Sequence, residues 1–166
     1  MTPTLKDLLR PGLRAVVVGI NPSPLSVAAG HYYQGRAGQQ FFRRLRAAGL
    51  IPDGDGFEDA LAFAAGIGFT DLAKRPTRRA KELVHEELLQ GRAALIEKLE
   101  RFRPGLVIFT FKQSAEVLLG RFEGHGFLPD RRLGSAEVFV MPGPYAKAAD
   151  VDRALQALGT WWRRSS

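Results

Sequence analysis

The sequence has 166 residues, of which 45% are hydrophobic, and these values are typical of one compact domain with a sizeable core. It contains no cysteine, which excludes a disulfide framework and any cysteine-ligated metal or iron–sulfur site. The formal net charge of +7 favours a polyanionic partner, because cationic side chains that contact phosphates release counterions. We therefore predict a single domain over residues 1–166.

Targeting signals are not evident in the sequence. Residues 1–9 mix charged and apolar side chains and lack the apolar run of a signal peptide. No stretch approaches the roughly 18 consecutive apolar residues of a membrane span. We expect a cytoplasmic protein that does not contact a membrane.

Predicted strands and helices alternate along the chain. The first β-branched run, RAVVVGI, indicates a buried strand over residues 14–20, and a second short strand is expected over 66–70. The run LVIFTF at 106–111 is typical of a central strand, and a fourth strand is expected at 137–141. Helical spacing of apolar residues predicts helices over 39–48, 57–64, 82–102, 112–119 and 149–162. This order predicts an α/β protein, a three-layer α/β/α sandwich around a short, mostly parallel four-stranded sheet.

Three loops follow predicted strands and are the places to look for chemistry. They span residues 21–40, 71–79 and 142–147. In open α/β sheets the ligand binds outside the carboxyl ends of the strands. The predicted site therefore lies where these loops meet.

The first loop carries an amide, a histidine and two tyrosines. Asn21 can hold the edge of a nucleobase or position a water molecule, and Tyr32 or Tyr33 offers a ring for stacking. A structural interpretation competes with this one, because Asn-Pro commonly initiates a turn and the tyrosines can be packing aromatics. The residues alone leave both interpretations open.

The second loop begins with an acidic residue and continues into a basic run, KRPTRRAK, at residues 74–81. Asp71 can accept a proton from water or stabilise positive charge, but it can equally cap a helix or pair with Lys74 or Arg75. The basic run is either a track for DNA phosphates or a solvated loop.

An ordered series of short segments is more specific than any one of these motifs. The segments are 9–14, 19–22, 30–33, 41–42, 48–50, 68–72, 75–77, 95–98, 112–113 and 141–142. In this series the chain resembles the mismatch-specific uracil-DNA and thymine-DNA glycosylases, a branch of the uracil-DNA glycosylase superfamily. The resemblance covers nearly the whole chain and implies a uracil-DNA glycosylase-like fold.

The resemblance implies roles for individual residues. Asn21 would position the hydrolytic water, and Tyr33 beside Tyr32 would stack on the extruded base. The loop at 141–147 would fill the gap left in the duplex, with Tyr145 and Lys147 as the candidates for the inserted residue. The residues expected to bind the base are Gly19, Ile20, Tyr32, Tyr33 and Phe41. Those expected to contact DNA are His31, Lys74, Arg75, Arg78, Arg79, Gly143, Tyr145, Ala146 and Lys147. No metal or cofactor is implied.

The chain departs from the family pattern at several positions. Ser23 replaces the usual glycine after Asn-Pro, Gly143 replaces a usual polar residue, and one residue is inserted between Tyr33 and Phe41. Relatives carry asparagine, lysine or aspartate at the position of Asp71. Because a carboxylate stabilises the positive charge that develops on deoxyribose, Asp71 is predicted to be catalytic together with Asn21.

The function predicted from the sequence is therefore that of a monofunctional DNA-repair glycosylase, expected to act as a monomer. It would hydrolyse the bond from uracil to deoxyribose in double-stranded DNA, with mismatched thymine and other damaged bases as further candidate substrates. The alternative is a catalytically weak DNA-damage binding protein of the same fold, which Ser23 and Gly143 would favour. A small-nucleotide α/β enzyme is disfavoured, because the sequence has no GxxxxGK[ST] or GxGxxG phosphate loop.

Overall fold

The computed structural model describes residues 3–165. Its strands are β1 (Ala15–Gly19), β2 (Ile67–Asp71), β3 (Leu106–Phe109), β4 (Gly126–Leu133) and β5 (Ala136–Val140). Its helices are α1 (Pro24–Ala29), α2 (Arg36–Ala47), α3 (Glu58–Ala64), α4 (His85–Phe102), α5 (Lys112–Leu119) and α6 (Ala148–Arg164), with a short 3₁₀ turn at Ala80–Glu82. None of these helices is both long and apolar enough to cross a membrane.

The strands form one five-stranded sheet in the order β2-β1-β3-β5-β4. The first four strands in this order are parallel, and β4 runs antiparallel to β5 at one edge. Every residue of β1, β2 and β3 is buried, as the continuous apolar runs of parallel strands require when helices cover both faces. The carboxyl ends of β1, β2 and β3 meet at one edge of the sheet.

Two hydrophobic cores flank the sheet and confirm the three-layer architecture. On one face, side chains of α2, α3 and α6 pack against alternate residues of the strands, and Leu158 and Trp162 of α6 belong to this core. On the other face, Leu95 and Leu99 of α4 pack with Ala115 and neighbouring residues of α5. The sheet is thus held between two layers of helices.

The predicted sheet lacked one strand. The segment GFLPDRRL forms β4, which is only partly buried and carries Pro129 and three charged residues. Proline is tolerated on edge strands, where a missing N–H breaks no ladder hydrogen bond, and β4 pairs irregularly with β5 between Phe127 and Arg132. An exposed edge strand needs few apolar residues, so no apolar run marks β4 in the sequence.

The predicted loop at 21–40 also needs correction, because it contains α1 and the first turn of α2. The signals for α1 are local: Ser23 accepts a hydrogen bond from the Ser26 amide, Pro24 occupies the first helical position, and Gly30 ends the helix in the left-handed conformation. Ser23, a departure from the family pattern, therefore has a structural role as a helix cap.

Gly91 permits the closest approach of α4 to the sheet. A Cβ atom at this position would lie 1.8 Å from the carbonyl oxygen of Leu72, the residue that follows β2. We expect Gly91→Ala to push α4 away from β2 and to lower the free energy of unfolding by about 3 kcal/mol. Urea denaturation measures this change. Gly143→Ala is the matched control, because a Cβ atom there meets open space, and equal losses for the two variants would contradict the explanation.

Candidate active site

A cavity of about 420 Å³, which we call the site cavity, opens where β1 and β2 end. This volume is within the roughly 300–1,000 Å³ that small-molecule sites occupy. Its lining includes residues at the end of β1 and after it, the end of β2, the segment before α2, and the start of α5. The lining residues of chemical interest are Gly19, Ile20, Asn21, Tyr32, Tyr33, Asp71, Thr77, Arg78, Phe111 and Gln113.

Asp71 places a carboxylate in the wall of the site cavity. It is the last residue of β2, pairs in register with Gly19 of β1, and is only 3% exposed. Among residues 3–165, neither carboxylate oxygen has a hydrogen-bond partner. Burial raises the pKa of Asp71 from 3.8 to about 7; Lys74 and Lys98 oppose this rise, and Asp7 adds to it. A buried, unpaired carboxylate is costly to a fold, which makes it a candidate functional group.

Tyr33 places a hydroxyl group near this carboxylate. A Cβ atom built on Gly19 would lie 2.6 Å from Asp71 Oδ1 and 3.0 Å from Tyr33 Oη, so both oxygens border the space that glycine leaves free. Tyr33 Oη is buried and has no hydrogen-bond partner in the described part of the chain. Burial and, after it, the charge of Asp71 raise the pKa of Tyr33 well above its ordinary value. The hydroxyl therefore remains a hydrogen-bond donor at neutral pH.

The ring of Tyr33 is held by an aromatic cluster. Phe41 and Phe42 of α2 contact it with ring centroids 5.5 Å away, and Phe69 of β2 lies at 6.0 Å. The backbone of Tyr33 has a φ of 58°, and a Cβ atom on Gly38 would lie 2.4 Å from Tyr33 Cβ. Close packing thus maintains a backbone conformation that is unfavourable for tyrosine. Phe41, predicted to bind the base, does not line the cavity and instead supports the ring that does.

Asn21 is oriented by the loop that follows β2. Its Nδ2 donates to the carbonyl of Arg75 at 2.9 Å and to Thr77 Oγ1 at 2.7 Å. Thr77 Oγ1 donates in turn to the carbonyl of Arg79, so it must accept from Asn21. This arrangement fixes the amide and leaves Oδ1 as an acceptor with no partner among the described residues.

Tyr32 and His31 have structural partners at the edge of the cavity. Tyr32 is buried, donates to the carbonyl of Lys6 at 2.9 Å, and receives a hydrogen bond from Lys74. His31 Nδ1 lies 2.8 Å from the buried Asp59, and its ring stacks on Phe57 at 3.6 Å. Tyr32 therefore helps to build the cavity wall, whereas His31 lies outside the cavity lining and keeps its other ring nitrogen for an external partner.

The basic residues after β2 differ in whether they form ion pairs with acidic residues of the protein. Lys74 forms an ion pair with Asp7, and Arg75 forms a bidentate pair with Glu87 at 2.7 and 2.9 Å. Arg78 and Arg79 are exposed, and Arg78 lines the cavity. The predicted phosphate contacts are thus most accessible at Arg78 and Arg79.

The loop after β5 is held at its start by α2 and is exposed at its tip. Arg44 of α2 donates to the carbonyls of Pro142 at 2.5 Å and Gly143 at 3.1 Å. Tyr145, at the tip, is 98% exposed, and Ala146 and Lys147 complete the loop. None of these loop residues lines the site cavity, so the loop projects from the protein separately from the cavity.

Several functional candidates were missed in the sequence. Thr77, which orients Asn21, and Arg44, which anchors the last loop, act through contacts with residues more than 50 positions away. Phe111 and Gln113 line the cavity because they follow β3, a position that the strand pattern could have indicated. Within residues 3–165, no group of three or more histidine and acidic side chains is placed to hold a metal ion.

A family comparison agrees with this geometry. The model of the uracil DNA glycosylase superfamily matches residues 7–159. The chain belongs to the uracil DNA glycosylase superfamily. As a member it is a DNA glycosylase, a hydrolase of base excision repair that acts on DNA. The match includes Asn21, Tyr33 and Asp71, so these three residues of the site cavity lie within the part of the chain that matches the superfamily.

Proposed function

We propose that this glycosylase removes uracil from double-stranded DNA and leaves an abasic site. The observation that carries the proposal is the buried Asp71 carboxylate, which has no hydrogen-bond partner among residues 3–165 and lies in the cavity that Tyr33 and Asn21 also line. A nucleotide inside a duplex cannot reach a buried group, so the base must leave the stack to react. Mismatched thymine is a further candidate, because its extra methyl group changes binding by only about 1–3 kcal/mol.

In the proposed reaction, the bond between deoxyribose C1′ and the base nitrogen breaks and its electron pair stays on the base. The ionised Asp71 stabilises the positive charge that this leaves on the sugar. A water molecule that donates to Asn21 Oδ1 adds to C1′ and gives a proton to Asp71. Solvent then takes this proton from Asp71 and gives a proton to the departing uracil anion. The products are free uracil and an abasic strand.

In this proposal the Tyr33 side chain binds the extruded base. Its ring lines the cavity and can stack on an extruded pyrimidine, and its hydroxyl can donate to an acceptor on the base or to the reacting water. Phe41, Phe42 and Phe69 keep the ring in place. A positioned ring lowers the entropic cost of binding the base.

The enzyme is proposed to be monofunctional, without lyase activity. Lys74 does not line the cavity, and its ammonium group is engaged by Asp7, the Leu5 carbonyl and Tyr32 Oη. A lysine held in this way is a poor nucleophile, because its side-chain nitrogen is outside the cavity and is engaged by three acceptors. The single domain, the monomeric state and the cytoplasmic location stay predictions of the sequence.

A panel of labelled oligonucleotides tests the proposal. We expect alkali-sensitive cleavage of duplexes that contain G·U or A·U, and slower or no cleavage of G·T and of unmodified duplex. Single-stranded uracil is included because the residues proposed to act on the base do not require the opposite strand. Binding to the uracil duplex without cleavage at any pH from 6 to 9 would contradict the proposal and favour a damage-binding protein.

Tyr145 is proposed to enter the gap that the extruded base leaves. We expect Tyr145→Ala to fold normally, since the side chain is almost fully exposed, and to reduce kcat/KM on duplex uracil about tenfold. On single-stranded uracil, which has no gap to fill, the reduction should be smaller. Tyr145→Trp is the control, because it retains a large ring, and equal losses on both substrates would count against this role.

A further inference from the structure

A charged cluster lies at the edge of the sheet, outside the site cavity. Asp7 Oδ2 lies 2.7 Å from Lys98 of α4, and Asp7 Oδ1 accepts from Thr70 Oγ1 at 2.8 Å and pairs with Lys74. Lys98 also donates to Thr70 Oγ1 at 3.2 Å. Each side chain in this cluster contacts at least one other, so Lys98 is linked to Lys74 through Asp7.

The cluster contacts both faces of β2, which is an edge strand of the sheet. Side chains alternate between the faces of a strand, so Thr70 lies on the face of β2 opposite to Asp71. Lys74 spans the edge, because it contacts Asp7 on one side and Tyr32 Oη, at 3.3 Å, on the other. Lys98 belongs to the helical layer on the Thr70 face and does not line the cavity.

The Lys74 ammonium group is held by Asp7 of this cluster and by two acceptors outside it. Its three hydrogens match three acceptors, namely Asp7, the Leu5 carbonyl at 3.1 Å and Tyr32 Oη. Burial of Asp7 raises its pKa, but hydrogen bonds from Lys74 and Lys98 outweigh that effect and hold the pKa below its ordinary value. Asp7 is therefore an anion at neutral pH and holds both lysines in place.

We propose that Lys98 is a positioning residue of the active site, which acts through Asp7 to hold Lys74 in the segment that directly follows Asp71. This inference rests on the glycosylase function proposed above. It assigns a catalytic consequence to a residue of α4 that touches neither the cavity nor Asp71.

The electrostatic surroundings of Asp71 support the direction of the effect. Lys74 and Lys98 both lower the pKa of Asp71, against burial and the charge of Asp7, which raise it. The groups that face Asp71 from the other side, Tyr32 and Tyr33, have raised pKa values themselves and stay neutral. We therefore expect removal of the Lys98 charge to favour protonated Asp71.

The pH dependence of uracil excision tests this inference. In Lys98→Gln and Lys98→Met we expect the acid limb of kcat/KM to move upward by about 0.5–1 pH unit, and about fivefold slower cleavage at pH 6. At pH 9, where Asp71 is ionised in every variant, the rates should match the wild type. Lys98→Arg should retain the wild-type profile. Arg92→Met, which removes an exposed charge from the same helix, controls for weaker DNA binding.

A second readout does not require activity. The ¹³C shift of the Asp71 carboxyl, assigned with Asp71→Asn, reports its titration directly, and its midpoint should rise in Lys98→Gln. An unchanged midpoint together with an unchanged acid limb in an active enzyme would overturn the inference. A raised midpoint in a protein that cleaves no substrate would instead overturn the glycosylase function and leave the link between Lys98 and Asp71 standing.

Discussion

Asp71→Asn is expected to slow uracil excision by about 10²–10⁴-fold and to make the protein more stable at the same time. An amide cannot take a proton from water and stabilises a cationic sugar poorly, so both proposed roles of the carboxylate are lost. Single-turnover cleavage of a G·U duplex measures the rate. Retained binding of the duplex shows that the loss lies in the chemical step.

The expected gain in stability follows from the pKa of the buried carboxylate. Because this pKa is raised from 3.8 to about 7, the folded protein binds more protons than the unfolded protein between these pH values, and the stability of the wild type falls as the pH rises through this window. The amide that replaces the carboxylate in Asp71→Asn does not titrate. We expect this variant to gain about 2–4 kcal/mol at pH 8 and much less at pH 4. A loss of stability at pH 8 in thermal unfolding would contradict this account of the site.

Asn21→Ala is expected to reduce the rate of excision about 10²-fold, because the hydrolytic water loses the acceptor that positions it. Duplex binding should change little, since Asn21 is uncharged and is not one of the exposed basic residues, Arg78 and Arg79, that are predicted to contact phosphates. Single-turnover kinetics separate the rate from the affinity. A rate that survives unchanged would show that the water is held by another group.

Thr77→Val is the matched control for Asn21→Ala. It removes the hydroxyl that accepts from Asn21 at 2.7 Å but leaves the amide itself and the Arg75 carbonyl contact. We expect a loss of about tenfold, intermediate between the wild type and Asn21→Ala, because the amide is present but less well oriented. An effect larger than that of Asn21→Ala would show that Thr77 has a role of its own.

The sequence predicted the site wherever chemistry follows from the ends of strands. Asn21 and Asp71 follow or end apolar runs, and parallel pairing of β1 with β2 places Gly19 opposite Asp71. The same reasoning placed Tyr32 and Tyr33 in the loop after β1, and the family resemblance favoured Tyr33. Predictions of this kind succeed because parallel pairing brings the carboxyl ends of the strands together on one side of the sheet.

Other features depend on contacts that no local pattern encodes. The sequence left Lys74 and Arg75 as candidate partners of Asp71, yet Lys74 pairs with Asp7 and Arg75 pairs with Glu87. Asp7 lies in a segment with no regular element, and Lys98 has the sequence context of an ordinary charged residue of a helix. The edge strand β4 was missed because an exposed edge needs few apolar residues. In each case the deciding partner comes from a distant part of the chain.

The most direct test of the central claim is to identify the products from a G·U duplex by mass spectrometry, with the wild type beside Asp71→Asn. The wild type should release free uracil and leave an intact strand with one abasic site, at a rate that falls as the pH drops below about 7, the pKa of Asp71. Asp71→Asn should bind the same duplex and release almost no uracil. Release of uracil at the wild-type rate by Asp71→Asn, or no release by a wild type that binds the duplex, would contradict the account.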